Sequence, residues 1–455
     1  MLLVVSLVGG ALAAAPAGLA PMADDAVAGV APSIPVEHYT LPNGLDVMLH
    51  VDRSAPQVVV NLWYDVGSKD ELPGRSGFAH LFEHLMFMGT TRLPGAGFDE
   101  QMEAHGGWNN AWTSEDATDY FEVGPSHLLP LFLWMEADRM DGLSHAMTRQ
   151  KLALQREVVR NERRQSDEDT PYGVVWLALP TALYPEGHPY AHPVIGSHED
   201  LQAATVQDVK DFFATWYVPS NASLVVAGDF EPAAVKPEIE RLFGSIPAGT
   251  PPARTPPAPV DLPARPLVEL TDQVAVPKAW FAWHTVPVFA PGDAAHDIVA
   301  SVLSGGRAAR LHRRLVVESQ VAQEVSAAHY SQAYGGVFLV EITPADGQTL
   351  ESVEAAVQAE IDRLATEGPT PEELARVRTN LQTDALRGLE SLQDRASALN
   401  RYFVTRGEPD SLAWDLSRTA AVDAEAVKAA AARLTVARRA TLRVRPEAAA
   451  TPEAK

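Results

Sequence analysis

The sequence predicts an α+β fold made of two duplicated domains, each a mostly antiparallel sheet packed with helices. Strand and helix signals are mixed throughout the 455 residues, which is typical of this class. The two halves also end alike. Asp208-Val209-Lys210 leads through a short helix to a strand at 222–226, and Ala426-Val427-Lys428 leads likewise to a strand at 440–444. This repetition indicates an internal duplication of a unit of roughly 200 residues.

A proline-dense segment at residues 246–266 separates the two halves. It lacks both helical and strand periodicity, so we expect a stiff, extended linker. The predicted organisation is a signal peptide at 1–25, a first domain at 33–245, the linker, and a homologous second domain at 267–446.

Turn and capping signals place the elements of the first half. Asn43-Gly44 is a strong hairpin turn between strand-like segments. The other predicted strands are 58–66, 108–113 and 120–123, and the predicted helices are 98–105, 128–140 and 149–165, the last capped by Thr148. In the second half, Thr370 and Glu373 form a capping box that starts a long helix.

The first twenty or so residues are apolar, rich in small side chains, and offer Ala-x-Ala sites such as Ala11 to Ala13. The usual positive start of a secretory signal is missing, because no Lys or Arg precedes Arg53. We predict cleavage and export to the periplasm or out of the cell. A membrane anchor is the alternative, which the shortness of the stretch disfavours. No later segment is predicted to cross a bilayer.

The overall charge and the cysteine count restrict the chemistry. A formal net charge of −23 argues against a nucleic-acid partner. The chain has no cysteine, so disulfides and thiolate metal sites are excluded. Any metal ion must therefore bind to His, Asp or Glu.

The segment Gly77–Met88, GFAHLFEHLMFM, is apolar except for His80, Glu83 and His84. A helix that is apolar all round is predicted to be buried, and three buried polar groups are costly unless they are paired or bind a metal. His80 and His84 lie one turn apart on one face, a spacing that suits one tetrahedral zinc ion. Glu83 lies beside them and can take a proton from zinc-bound water. A hydrogen-bonded core network is the structural alternative.

A catalytic zinc ion needs a third protein ligand, and the predicted helix 149–165 offers two candidates. Its helical wheel puts four apolar side chains on one arc: Leu152, Leu154, Val158 and Val159. Glu162 falls near the middle of that arc, whereas Glu157 points away among arginines. A carboxylate on an apolar face needs a cation, so Glu162 is the predicted ligand and Glu157 the alternative.

These segments resemble the pitrilysin and insulinase zinc metallopeptidases, called inverzincins because H-x-x-E-H reverses the commoner order. The likeness covers most of the chain and includes His80–Thr90, Gly106–Phe121 and His188–Gly196. It implies that His80, His84 and Glu162 bind zinc and that Glu83 is the general base. It also implies that 33–245 is the catalytic zinc-binding domain, that 267–446 is a non-catalytic copy, and that the chain forms half of a clam-like chamber.

The resemblance also assigns a substrate-binding strand, because the family's edge strand pairs with an extended peptide. The matching residues are Asn109, Asn110, Ala111, Trp112 and Thr113. Asn110 and Ala111 hold the positions that usually touch the peptide. The structural alternative for Trp112 is that it only packs the sheet.

The second half departs from the family pattern. Around His296–Ser304 it has no H-x-x-E-H, and Val316 and Gln323 stand where members usually carry an Arg and a Tyr that hold the substrate carbonyl. This pattern resembles the catalytic subunit of a heterodimer whose inactive partner supplies that pair. A homodimer is the alternative.

The sequence therefore predicts a zinc-dependent endopeptidase or oligopeptidase for short or unfolded peptides. The alternatives are a non-catalytic scaffold and a peptide-binding subunit of the same fold. The intact set of His80, Glu83, His84 and Glu162 disfavours both alternatives.

Overall fold

The computed structural model describes residues 32–260, 262 and 266–447. The predicted signal peptide at 1–25 lies outside these residues, and so does part of the predicted linker. From Ser33 onward the described residues belong to one compact unit. Within this part of the chain, no helix combines the length and the apolar character needed to cross a membrane.

The first half contains a six-stranded sheet in the order β1-β2-β6-β3-β5-β4. Its strands are β1 (Glu37–Thr40), β2 (Asp46–Val51), β3 (Gln57–Tyr64), β4 (Trp108–Thr113), β5 (Thr118–Pro125) and β6 (Ala222–Gly228). The β2 and β6 strands are parallel, and every other neighbouring pair is antiparallel. Strand β4 pairs only with β5, so it leaves a free edge.

The second half contains a five-stranded sheet in the order β7-β11-β8-β10-β9. Its strands are β7 (Leu267–Asp272), β8 (Lys278–Thr285), β9 (Ala322–Tyr330), β10 (Gly336–Pro344) and β11 (Ala440–Pro446). Here too one neighbouring pair, β7 and β11, is parallel, and the other pairs are antiparallel. Apart from β1, the two sheets share one strand order and one set of directions. The predicted duplication and the α+β class are confirmed.

Helices pack on both sheets. In the first half they are α1 (Phe78–Leu85), α2 (Gly97–Ala104), α3 (Leu129–Ala146), α4 (Arg149–Arg163), α5 (Val174–Leu183), α6 (His198–Ala203), α7 (Val206–Trp216) and α8 (Pro232–Phe243). In the second half they are α9 (Asp293–Ser304), α10 (Leu350–Glu367), α11 (Pro371–Arg387), α12 (Leu392–Arg406), α13 (Leu412–Ala421) and α14 (Ala424–Ala431). Short π-helical segments occur at Arg164–Glu168 and His312–Glu318.

One helix of each half packs on the sheet of the other half. Helix α5 of the first half packs on strands of the second sheet, where Val175 and Leu179 join the apolar cluster of Trp280. Helix α12 of the second half packs on β3 and β6, where Leu399 joins the cluster of Val59. Each sheet therefore completes its apolar core with a helix from the other half. The domain limits at 33–245 and 267–446 stay a prediction, since the halves share their cores.

Candidate active site

Helix α1 carries the H-x-x-E-H residues and is preceded by its N-cap residue Gly77, whose φ of 85° is left-handed. The side chain that caps this helix comes from outside it. Glu71 accepts hydrogen bonds from the backbone N–H of Gly77 at 2.9 Å and of Ala79 at 2.7 Å. Burial raises the pKa of Glu71 well above its ordinary value. The sequence analysis did not predict this role for Glu71. The signal that could have indicated it is a carboxylate a few residues before a helix whose own N-cap residue has no side chain to accept hydrogen bonds.

Two glycines allow the loop before α6 to lie directly against the start of α1. A Cβ on Gly77 would come within 2.7 Å of the Ile195 carbonyl oxygen, and a Cβ on Gly196 would come within 2.4 Å of the Gly77 backbone. Only residues without a side chain fit at both positions. The close approach of this loop to α1 therefore depends on a glycine pair.

Three potential ligands converge between α1 and α4. His84 Nε2 lies 3.1 Å from one Glu162 carboxylate oxygen, and His80 Nε2 lies 3.7 Å from the other. One donor atom from each of the three residues lies within 4.8 Å of the other two. Bonds of about 2.0–2.1 Å to a tetrahedral ion place its ligand atoms roughly 3.3 Å apart. The donor types and distances of this cluster fit a zinc ion.

The protonation states of His80 and Glu162 also fit a divalent cation. Burial lowers the pKa of His80 to about 4, so its imidazole is neutral at pH 7. Burial acts to raise the pKa of Glu162, but the hydrogen bond with His84 and the nearby histidines outweigh it and lower that pKa. Metal binding requires neutral imidazole and ionised carboxylate, and both are favoured here before any ion is added.

Glu83 lies on the inner side of α1 and is only 7% exposed. The hydroxyl of Thr113, the last residue of β4, donates a 2.6 Å hydrogen bond to Glu83 Oε2. Burial raises the pKa of Glu83 to about 7, and the Thr113 hydrogen bond opposes that rise. A carboxylate with a pKa near the working pH is suited to exchanging a proton with a reactant.

We expect Thr113→Val to reduce kcat/KM for peptide hydrolysis by about tenfold, because a hydrogen bond to an ionisable group contributes about 1.5–3 kcal/mol. The change is nearly isosteric and leaves the zinc ligands in place. Zinc content should stay unchanged while kcat falls, measured by metal analysis and steady-state kinetics. Wild-type kcat in this variant would show that Thr113 does not orient Glu83.

The face that α4 buries differs from the predicted arc. Leu152 and Val159 are buried, but Leu154 is 54% and Val158 is 40% exposed. The predicted burial of these two side chains was wrong. The helix packs on α1 along the line through Leu152 and Val159, and the helical wheel, which used only the positions of apolar residues, put the centre of the buried face at the wrong angle. Glu162 follows Val159 by nearly one turn and so faces α1.

The alternative ligand, Glu157, lies elsewhere. Its side chain is 55% exposed and forms an ion pair with Arg160 Nη1 at 2.7 Å. It is not part of the cluster formed by His80, His84 and Glu162. The structure therefore brings together the three predicted ligands and leaves Glu157 on the surface.

The predicted substrate strand coincides with β4 and lies at the sheet edge. Its side chains alternate between two faces. Ala111 is buried in the core beneath α1, and Trp112 packs edge-on against Trp63 on the other face. Asn109 donates to Asp99. The side chain of Ala111 thus faces the core, and only its backbone is open to a peptide.

A cavity of about 710 Å³ opens beside His80 and Thr113. Its walls come from both halves and are mostly apolar. The first half contributes Trp176, Leu179 and Ile195, and the second half contributes Tyr330, Val337 and Leu339. The space next to the ligand cluster is therefore large enough for a peptide side chain.

The described part of the second half has no equivalent cluster. Helix α9 is preceded by the N-cap residue Gly292, whose φ of 98° matches the left-handed N-cap of α1. Counting from these two glycines, the positions of His80, Glu83 and His84 are taken by Ala295, Ile298 and Val299, all buried. Among the residues that the structure describes, His80, His84 and Glu162 are the only metal-ligand group found.

The two residues in place of the family's Arg and Tyr lie just before and at the start of β9, an edge strand of the second sheet. Val316 belongs to the π-helical segment and packs against the second core. Gln323 lies on β9, where its amide donates to Asp346 at 3.4 Å. Neither side chain provides the cation of the family's Arg or the phenol of its Tyr.

Two domains of one peptidase family match consecutive parts of the chain. "Insulinase (Peptidase family M16)" matches residues 46–196, and "Peptidase M16 inactive domain" matches residues 203–381. The zinc protease PqqE of Helicobacter pylori is 30% identical over 374 residues, which cover 81% of this chain and 83% of that protein. This chain belongs to peptidase family M16. The resemblance found in the sequence is confirmed.

Further M16 likenesses extend over most of the chain. The uncharacterized zinc protease YmxG of Bacillus subtilis is 23% identical over 401 residues, covering 88% of this chain and 95% of that protein. The crystal structure of a protease from Helicobacter pylori has a TM-score of 0.82 at 25% identity and covers 90% of this chain and 100% of that chain. The first M16 description spans the ligand cluster, and the inactive-domain description spans Val316 and Gln323.

Proposed function

We propose that this M16 chain is a zinc-dependent endopeptidase or oligopeptidase that hydrolyses short or unfolded peptides. The observation that carries the proposal is the convergence of His80, His84 and Glu162 at distances that suit one zinc ion, with Glu83 beside them. The relatives named zinc proteases support the same chemistry.

His80, His84 and Glu162 would hold the zinc ion. When bound, zinc supplies a Lewis acid that polarises a carbonyl oxygen and lowers the pKa of water. Thr113 holds Oε2 of Glu83, which leaves Oε1 to accept a proton from the attacking water. Glu83 then returns that proton to the nitrogen of the leaving amine. Glu83 is only 7% exposed, so its carboxylate has little contact with bulk water during this exchange.

The free edge of β4 supports binding of an extended substrate. Peptide backbone groups would pair with Asn109–Thr113 as an added strand. Because the Thr113 end of this edge is in contact with Glu83, a peptide bound here would pass its backbone across the ligand cluster. Selectivity would then come from side chains that enter the cavity beside His80.

Zinc removal and peptide hydrolysis, measured together, test the proposal. The purified chain should contain about one zinc per chain and cleave members of a mixed peptide library. A chelator should remove both properties, and added zinc should restore them. A chain that binds zinc without cleaving any peptide would favour the scaffold or peptide-binding alternative, in line with the inactive-domain description of residues 203–381.

We also propose that an inactive homologous subunit completes the chamber, since Val316 and Gln323 replace the Arg and Tyr. One missing transition-state donor typically costs about 10²- to 10³-fold in kcat, so the chain alone should turn over slowly. Adding a homologous chain that carries the pair should raise kcat by a similar factor. The measurement is kcat as a function of partner concentration; full activity of the purified monomer would contradict the proposal.

The N-terminal residues support export to the periplasm or outside of the cell, followed by cleavage within 1–25. Sequencing the N-terminus of the mature protein from cell fractions tests both points. An intact Met1 in the cytoplasmic fraction would oppose export.

A further inference from the structure

The ligand cluster depends on how two separate helices lie beside each other. His80 and His84 belong to α1, whereas Glu162 is near the end of α4. The two helices pack against each other, and a shift of α4 along its axis by one residue would move the Glu162 carboxylate by about 1.5 Å. Such a shift would break the cluster. The contacts that fix α4 against α1 therefore decide whether the site is preformed.

We propose that Arg163 is a positioning residue that sets the metal affinity of this chain by bracing the Glu162 end of α4. The proposal rests on the proposed function, in which Glu162 is a zinc ligand. The Arg163 side chain bonds to the Gly196 carbonyl and to Glu168, outside the ligand cluster and the substrate strand. It acts through the backbone contacts described next.

Arg163 joins α4 to the loop that packs on the start of α1. Its side chain is 15% exposed, and Nη1 donates a short hydrogen bond to the Gly196 carbonyl. Gly196 in turn lies in backbone contact with Gly77, from which α1 begins. The Glu162 end of α4 is thus connected to the helix of His80 through the Arg163 side chain and the backbone contact between Gly196 and Gly77.

The second bond of the same guanidinium fixes the chain just after α4. Arg163 Nε donates to Glu168 Oε1 at 2.8 Å, at the end of the π-helical segment. Glu168 also contacts His198 Nε2 at 3.0 Å. The planar guanidinium can make both bonds at once in a fixed geometry, which a lysine cannot reproduce.

The opposite end of α4 is braced independently. Lys151 Nζ donates to the Gly89 carbonyl at 2.9 Å, just beyond the end of α1. Gln155 contacts the Met88 sulfur in the same region. Because this end stays fixed, loss of Arg163 should loosen only the last turn of α4, where Glu162 lies.

Zinc affinity of the full-length chain tests the proposal. Apo protein is titrated with zinc against a competing chelator for wild type, Arg163→Met, Arg163→Lys and the control Arg164→Met. Arg164 has the same charge, and its side chain donates to Asn161 Oδ1 one turn back along the chain. Removing a residue that orients a ligand typically costs about 10- to 100-fold in metal affinity. We expect that loss for Arg163→Met, a smaller loss for Arg163→Lys, and no change for Arg164→Met.

Two further measurements separate positioning from general damage. Unfolding of the apo proteins should be similar for Arg163→Met and Arg164→Met, and kcat at saturating zinc should be largely restored. If Arg163→Met does not fold, Glu168→Gln, which keeps the arginine but weakens its second bond, should still lower zinc affinity. Equal affinities for Arg163→Met and Arg164→Met would overturn the inference. Failure of wild type to bind zinc would instead overturn the proposed function.

Discussion

Replacing Glu83 by Gln is expected to lower kcat for peptide hydrolysis by about 10²- to 10⁴-fold, the usual contribution of a general base or acid. The carboxamide keeps the size of the side chain and the acceptor for Thr113, but it cannot take up a proton. Zinc content should remain that of wild type, because Glu83 is not part of the ligand cluster. Burst-free steady-state kinetics and metal analysis of the same sample provide both values.

The matched control for this change is Glu103→Gln, which removes one carboxylate from the exposed surface of α2. It should leave both kcat and zinc content unchanged. Hydrolysis by Glu83→Gln at the wild-type rate would show that another group moves the proton. Loss of zinc from Glu83→Gln would show that Glu83 binds the ion.

Replacing Glu162 by Gln is expected to abolish stable zinc binding, and activity with it. A neutral carboxamide replaces the carboxylate whose oxygens lie 3.7 Å from His80 Nε2 and 3.1 Å from His84 Nε2. The loss of affinity should exceed the roughly 10- to 100-fold that a residue outside the ligand shell contributes. Zinc affinity by chelator competition and kcat/KM at a fixed zinc concentration measure the effect.

Glu157→Gln is the matched control, since it makes the same chemical change on the same helix. Its exposed ion pair with Arg160 contributes about 0–1 kcal/mol to stability, so zinc affinity and activity should stay as in wild type. The opposite pattern, with Glu157→Gln inactive and Glu162→Gln active, would exchange the roles of the two residues.

Local signals predicted the elements around the site well. Asn43-Gly44 joins β1 and β2 as a hairpin, β4 has the predicted limits, and Thr148 caps α4 through the Lys151 backbone. These features depend on neighbouring residues, where turn and capping chemistry is strong. The H-x-x-E-H spacing likewise placed His80 and His84 on one helical face.

Features that depend on distant packing were not predictable in the same way. The exposure of Leu154 and Val158 follows from the angle at which α4 meets α1, which no local pattern contains. The exchange of α5 and α12 between the two sheets joins segments far apart in the chain. The same holds for Glu71, whose role as a cap appears only when the chain folds back on α1.

X-ray anomalous scattering at the zinc absorption edge, from crystals of the purified chain, tests the central claim most directly. We predict one zinc peak per chain, in contact with His80, His84 and Glu162. A zinc peak at other residues, or a fully folded, peptide-cleaving crystal sample with no metal between α1 and α4, would contradict the account.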